Sequence, residues 1–213
     1  MIRIRGLWKK FMYTVALQDI NLDIEHPTLA LIKGPNGSGK TTLLKVIIGL
    51  LKPSKGGIEV FGYDPSKNRG KLISLISFYF EDDPLPWWMT GREYIEYVSF
   101  MKRYPLTNLK ELINGLDIMS FWNRKIFTYS SGMKRKIQIL KAFIGDSKIL
   151  ILDEPLTLLD RKSKKYLIGY LKEIKSLKTI LVASHIDEGL SSIADTIIEI
   201  ENGKIITIAS TVA

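Results

Sequence analysis

The 213-residue sequence predicts an α/β fold: a parallel β-sheet flanked by helices, a small antiparallel β-subdomain, and an inserted α-helical subdomain. Three observations predict it. Leu29-Ala30-Leu31-Ile32 is a short apolar strand that runs into a glycine-rich loop and then a helix. Lys148-Ile149-Leu150-Ile151-Leu152 is a second apolar strand, ending in the acidic pair Asp153-Glu154 before Pro155. Thr179-Ile180-Leu181-Val182-Ala183-Ser184 is a third, ending in His185. Continuous apolar runs of this length mark strands covered on both faces, as in parallel sheets.

In chain order, residues 2–5 and 20–24 alternate apolar and polar and read as two short strands. Trp8, Phe11 and Tyr13 lie between them, placed either to stack on a flat ligand or to cover the edge of the small sheet. Gly34-Pro35-Asn36-Gly37-Ser38-Gly39-Lys40-Thr41, followed by Thr42, has the spacing of a phosphate-binding loop. Its glycines let successive N–H groups turn inward, Lys40 has the reach and charge for β- and γ-phosphates, and the Thr41 hydroxyl suits Mg2+. The helix Leu43–Ile48 would set its N-terminus against the anion. A turn at 53–57 precedes a strand at 57–62, and Ile73–Phe80 reads as a strand running into Glu81. From Pro84 to about Phe143 the pattern is helical and aromatic, with Tyr94, Tyr97, Phe100, Met101 and Tyr104 on a stripe expected to be core.

An acidic pair at the carboxyl end of a central parallel strand sits where open α/β sheets bind ligands. Asp153 is expected to hold the metal and Glu154 to act as general base toward an attacking water. His185 reaches the same sheet edge. A helix over about 161–175 separates the two strands, and Asn202-Gly203 between alternating runs predicts a closing hairpin.

Composition narrows the class. Hydrophobic residues make up 46% and charged residues 25%, a globular balance. No apolar run approaches the ~18 residues of a membrane span. The run at 11–17 behind Lys9-Lys10 is too short for a secretory leader and ends in Gln18-Asp19. Without cysteine there are no disulfides and no thiolate metal sites. The net charge of +9 invites nucleic acid or an anionic membrane surface, yet the densest basic group, Arg161, Lys162, Lys164 and Lys165, reads as a solvated helix face. No nucleic-acid partner is expected.

Tyr129-Ser130-Ser131-Gly132-Met133 resembles the signature motif of the ATP-binding cassette (ABC) family, and the motif order along nearly the whole chain resembles that family too. The resemblance implies a P-loop NTPase core of RecA-like type at 1–81 and 146–213, with the helical subdomain at 82–145 carrying the signature. It implies ATP and Mg2+ as cofactors and a head-to-tail homodimer, or heterodimer with a second such ATPase. Each ATP would lie between one copy's phosphate loop and the other's Ser130, Ser131 and Gly132. Asp160 resembles the aspartate linking the two sites, and His185 the switch histidine on the γ-phosphate. Phe11 falls at the base-stacking position, with Tyr13 close by. Glu81 stands where many members carry glutamine and is assigned with Glu154 and His185 to catalysis, and with Thr41 and Asp153 to the metal. Ser131 replaces a glycine, which costs little if its φ is negative. Met133 replaces a glutamine. The family's membrane-spanning permease subunits are the expected partners, with Trp87, Trp88 and Met89 as a candidate socket, and the cytoplasmic face of the cell membrane is the expected location. A soluble cassette acting on nucleic acid or ribosomes is the alternative function; a nucleotide kinase would have no use for the signature.

Overall fold

The computed structural model describes residues 1–211. A hairpin of β1 (Ile2–Phe11) and β2 (Thr14–Ile24) pairs with β4 (Lys55–Val60) in an antiparallel sheet of order β2-β1-β4. The main sheet contains β3 (Leu29–Lys33), β5 (Ile76–Tyr79), β6 (Ile149–Asp153), β7 (Thr179–Ser184), β8 (Thr196–Glu201) and β9 (Lys204–Ser210). Its order is β5-β6-β7-β3-β8-β9, parallel throughout except for the last pair. The helices are α1 (Lys40–Ile47), the single turn α2 (Arg69–Leu72), α3 (Gly91–Met101), α4 (Lys110–Gly115), α5 (Ser131–Ala142) and α6 (Arg161–Ile174).

The apolar strands divide their side chains between two cores because successive residues point to opposite faces. Ala30, Ile32, Ile149, Ile151, Leu181 and Ala183 pack with α1 and the small sheet. Leu29, Leu31, Leu150, Leu152, Ile180 and Val182 pack with α5, α6 and the helical block. Both faces are therefore buried, at roughly 1.5–3 kcal/mol for each large side chain removed from water.

Several expected boundaries move. The two short amino-terminal strands are the ends of one long hairpin, in register from Ile2 opposite Ile24 to Phe11 opposite Thr14. Bulges bend it near Gly6, whose φ is 54°. The strand expected from Ile73 begins only at Ile76, because residues 69–72 form the turn α2 and Ile73 caps it. The aromatic stripe expected as core is so only in part: Tyr94 and Tyr104 pack half-buried against the core. Gly91, Ile95 and Ser99, four apart, face inward, whereas Tyr97 and Met101 are exposed and Phe100 is 80% exposed. Asn202-Gly203 does close the β8–β9 hairpin, with φ of 49° and 76°, the positive values that a two-residue turn requires.

Local chemistry fixes where the helices start. Thr90 Oγ1 accepts from the Glu93 N–H at 3.1 Å while the Thr90 N–H donates to Glu93 Oε2 at 2.7 Å, a reciprocal cap for α3. Ser130 caps α5 in the same way, with Met133 Sδ at 3.4 Å standing in for the usual carboxylate or amide. The buried Tyr129 hydroxyl accepts from Gly91 N–H and donates to Phe121 C=O, both at 3.0 Å, so the start of α3 is tied to the residue before the Ser130 cap of α5.

Candidate active site

The loop 34–41 leaves β3 and wraps the start of α1. Gly39, with φ of 108°, precedes Lys40, and a Cβ there would stand 2.6 Å from Ala16 C=O. A Cβ on Gly34 would stand 2.1 Å from Ile200 C=O. The loop is thus gripped between β2 and the end of β8. The turn at Gly203 closes that grip, donating its N–H to Ser38 C=O at 3.0 Å and accepting from Gln18 N–H at 2.7 Å. No side chain caps α1, so its first N–H groups are left for an anion. Lys40 is buried and donates to the carbonyls of Gly34 at 2.8 Å and Pro35 at 3.1 Å, across the hollow of the loop.

Parallel register sets the other groups beside it. Lys33 lies opposite Ser184, and Asp153 opposite Ala183, so three strands end on one edge. Thr41 donates its hydroxyl to Asp153 Oδ2 at 2.7 Å, while Asp153 Oδ1 is buried with no partner. Burial pushes the Asp153 carboxyl up from its ordinary value, against the Thr41 hydrogen bond, which lowers it. A cation at this position would relieve the desolvated charge. Glu154 has a left-handed φ of 51°, which turns its side chain back over the edge. Its Oε2 accepts from His185 Nδ1 at 2.9 Å and from His185 N–H and Ser184 Oγ at 3.3 Å. Its Oε1 lies 3.5 Å from Lys40 Nζ. An ionised carboxylate only accepts, so the Nδ1 of His185 carries the proton of this hydrogen bond.

Lys40, Thr41, Asp153 and Glu154 line a cleft of about 510 Å³ with Asn36, Gly37, Gly39, Thr42, Glu81 and, from the β2 and last-hairpin side, Thr14–Ala16, Gln18 and Asn202-Gly203. The structure therefore brings together the loop, Asp153, Glu154, His185 and Glu81. It does not bring in Phe11, whose ring is half-exposed with the Lys9 ammonium 5.0 Å from its centroid, nor Tyr13, exposed at the hairpin tip. The hairpin's length carries both beyond the cleft wall. Ser130, Ser131 and Gly132 are also outside it, on the surface at the start of α5. Ser131 is helical and absent from the positive-φ residues, so its Cβ costs little. Asp160 caps α6 through the Ser163 N–H at 2.9 Å and pairs with Lys136 Nζ at 2.7 Å, which holds its carboxyl well below the ordinary range.

Sequence reasoning missed the cleft wall at Thr14–Gln18 and Asn202-Gly203, since only the tertiary fold brings strand β2 and the last hairpin to the loop. It also missed Arg135, whose guanidinium donates to Glu81 Oε1 at 2.7 Å.

The segment after His185 is held by Asp187, which accepts from Ser191 Oγ at 2.6 Å, Ser191 N–H at 3.0 Å and Lys33 Nζ at 3.1 Å. The Ser191 bonds foremost lower its carboxyl from 3.8 to about 2. A carboxyl depressed by folding stabilises above its unfolded value and loses that stabilisation as pH falls through the folded one. Asp187→Asn is therefore expected to lower the unfolding midpoint by a constant amount above about pH 4, the gap to the parent closing toward pH 2. Denaturation midpoints across that range check it; a gap independent of pH would refute it.

Residues 17–157 match the family model described as ABC transporter. The chain is 34% identical over 199 residues to the ABC transporter ATP-binding protein NatA of Bacillus subtilis, covering 90% of this chain and 80% of that protein. It is 33% identical over 192 residues to ABC transporter A family member 1 of Dictyostelium discoideum, 88% of this chain but only 22% of that much longer protein. Among solved structures, it is similar to the cassette MJ0796 in a dimeric post-hydrolysis state bound to ADP and Pi, with a TM-score of 0.85, 24% identity and full coverage of both chains. It is also similar to cbiO1 from Clostridium perfringens, part of the ABC transporter complex cbiONQ, with a TM-score of 0.78, 26% identity and coverage of 98% and 88%. With the phosphate loop, acidic strand end and signature in one α/β frame, the chain belongs to the ABC transporter family, as its ATP-binding and ATP-hydrolysing cassette.

Proposed function

We propose that this cassette powers transport through separate membrane-spanning subunits, by closing on a second cassette around ATP and reopening after hydrolysis. One observation carries the reading. The cleft is lined by phosphate-loop residues, Asp153 and Glu154, the last held by His185 from behind, while the signature start at Ser130 is exposed and outside that cleft. A second copy placed head to tail would supply the missing Ser130, Ser131 and Gly132 to the γ-phosphate, and Asp160 would link the two sites.

Within each site, Gly34 to Thr42 cradle the phosphates and Lys40 swings from the loop carbonyls to phosphate oxygens. Thr41 and Asp153 are the ligands available to Mg2+, with Glu81 near enough on the cleft wall to meet it or its water. The buried, partnerless Asp153 Oδ1 fits such an ion. Among the described residues no group of three or more carboxylate, histidine or cysteine side chains is placed to hold a metal ion by itself, so phosphates and water would supply most of its ligands. When bound, magnesium neutralises charge on the phosphate oxygens. Glu154 takes the proton of the attacking water, and His185 orients Glu154 through Nδ1 and leaves Nε2 for the γ-phosphate. Phe11, or Tyr13 at the tip of the same hairpin, stacks on adenine once nucleotide draws it in.

The division into 1–81 with 146–213 and a helical unit at 82–145 is the frame for the motion. Among the described residues no helix is long and apolar enough to cross a membrane. Contact with permease subunits, at the cytoplasmic face of the membrane, falls to the helical unit. Trp87 and Trp88 are 64% and 60% exposed with rings edge to face at 5.6 Å, and exposed Phe127 joins them by donating its N–H to Trp87 C=O. Exposed aromatic clusters of this kind mark interfaces. Met89, by contrast, packs inward. Tagged Glu154→Gln protein with ATP and magnesium is expected to recover a multispanning protein from detergent-solubilised native membranes. Trp87→Ala with Trp88→Ala should lose that partner and keep ATP hydrolysis. Recovery only of ribosomes or nucleic acid, resistant to moderate salt, would overturn the transporter reading.

A further inference from the structure

The guanidinium of Arg135 is the charged group that the ATPase chemistry leaves unexplained. It is only 3% exposed, yet it lies on α5, far along the chain from every strand end that builds the cleft. Its Nη2 donates to Glu81 Oε1 at 2.7 Å, the guanidinium carbon lies 5.3 Å from the centroid of the Tyr79 ring, and Nη1 is buried with no partner. Asp153 and Glu154 are close enough that their charges support it against desolvation. A buried guanidinium with one nitrogen unsatisfied is costly, and a neutral side chain of similar volume would pack there at less cost. Its presence calls for a use.

Glu81 supplies that use. Only one of its oxygens is taken, and the side chain is half-exposed on the cleft wall. The same face of α5 holds the following residues as well. Gln138 Nε2 donates to Asp83 C=O at 2.5 Å and Lys141 Nζ to Asp83 Oδ2 at 2.6 Å, so positions 135, 138 and 141 form a stripe of three polar ties to the segment 81–83. The segment that carries Glu81 is thereby tied to α5, whose first turn belongs to the signature.

We propose that Arg135 is a positioning residue for Glu81. It fixes one carboxylate oxygen so that the other is left to the metal side of the cleft. The proposal rests on the ATPase reading above. It goes beyond that reading in giving the acidic residue at 81 a dedicated buried cation.

The test is a double-mutant cycle of Glu81→Gln and Arg135→Gln in the full chain carrying Glu154→Gln, with Arg135→Lys as the conservative variant. ATP affinity is titrated with and without magnesium, and thermal midpoints are recorded. Arg135→Gln is expected to leave magnesium-free ATP binding unchanged and to raise the magnesium half-saturation of ATP binding about tenfold, the size of a direct pair coupling. Arg135→Lys should restore part of it. Glu81→Gln alone should lower the midpoint, because it strands the buried guanidinium, and adding Arg135→Gln should recover it. In the Glu81→Gln background, Arg135→Gln should no longer move the magnesium dependence. Effects that multiply independently, or an unchanged magnesium dependence in a folded Arg135→Gln protein, would overturn the proposal. Failure of the parent to bind ATP would instead sink the ATPase reading, and the midpoint cycle would still report whether the pair is coupled.

Discussion

Glu154→Gln is expected to trap two ATP-loaded copies as a stable dimer and to slow hydrolysis by about 10²–10⁴-fold, the usual worth of a general base. The amide keeps the shape of the side chain, and its oxygen still accepts from His185 Nδ1, His185 N–H and Ser184 Oγ, so the sheet edge stays as built. What it loses is the capacity to take a proton from water. Closure depends on ATP bridging the loop of one copy and the signature of the other, which this substitution spares. Light scattering on a sizing column with saturating ATP and magnesium, beside a phosphate-release assay, measures both effects. A monomer under those conditions, or turnover at the parental rate, would contradict the assignment of Glu154.

Lys40→Ala should weaken ATP binding by roughly 10- to 150-fold, the equivalent of one charged hydrogen bond at about 1.5–3 kcal/mol. Lys40 is buried with its ammonium between Gly34 C=O, Pro35 C=O and Glu154 Oε1. Its removal therefore also strips Glu154 of its nearest cation. Calorimetric titration with ATP checks the affinity, and the thermal midpoint separates it from loss of fold. An unchanged dissociation constant would remove the loop from the binding site.

The two predictions rest on features of different legibility. Lys40 and Glu154 were readable because each sits at a fixed offset from an apolar strand, and the offset alone puts it at a sheet edge. The inward face of α3 was not. Its aromatics recur at helical spacing, but the phase of burial follows Gly91, Ile95 and Ser99, where the close approach of Tyr129 and Ile137 leaves no room for larger residues at 91. Phe11 was placed by resemblance, and the structure shows its ring lying along Lys9 rather than lining the cleft. Trp87 and Trp88 were open between core and surface, and packing put both on the surface while taking Met89 inward.

Short stretches of sequence encode the parallel α/β core, the phosphate loop, the acidic strand end, the signature and the closing hairpin. Each is encoded in a few contiguous residues whose spacing dictates the backbone. Long-range packing sets what surrounds them: the clasp of β2 and the Asn202-Gly203 turn on the loop, the His185–Glu154 hydrogen bond, and the Arg135–Glu81 pair. Those partners lie 31 to 54 or more residues apart in the chain. Their meeting depends on strand order and register, which no local pattern carries.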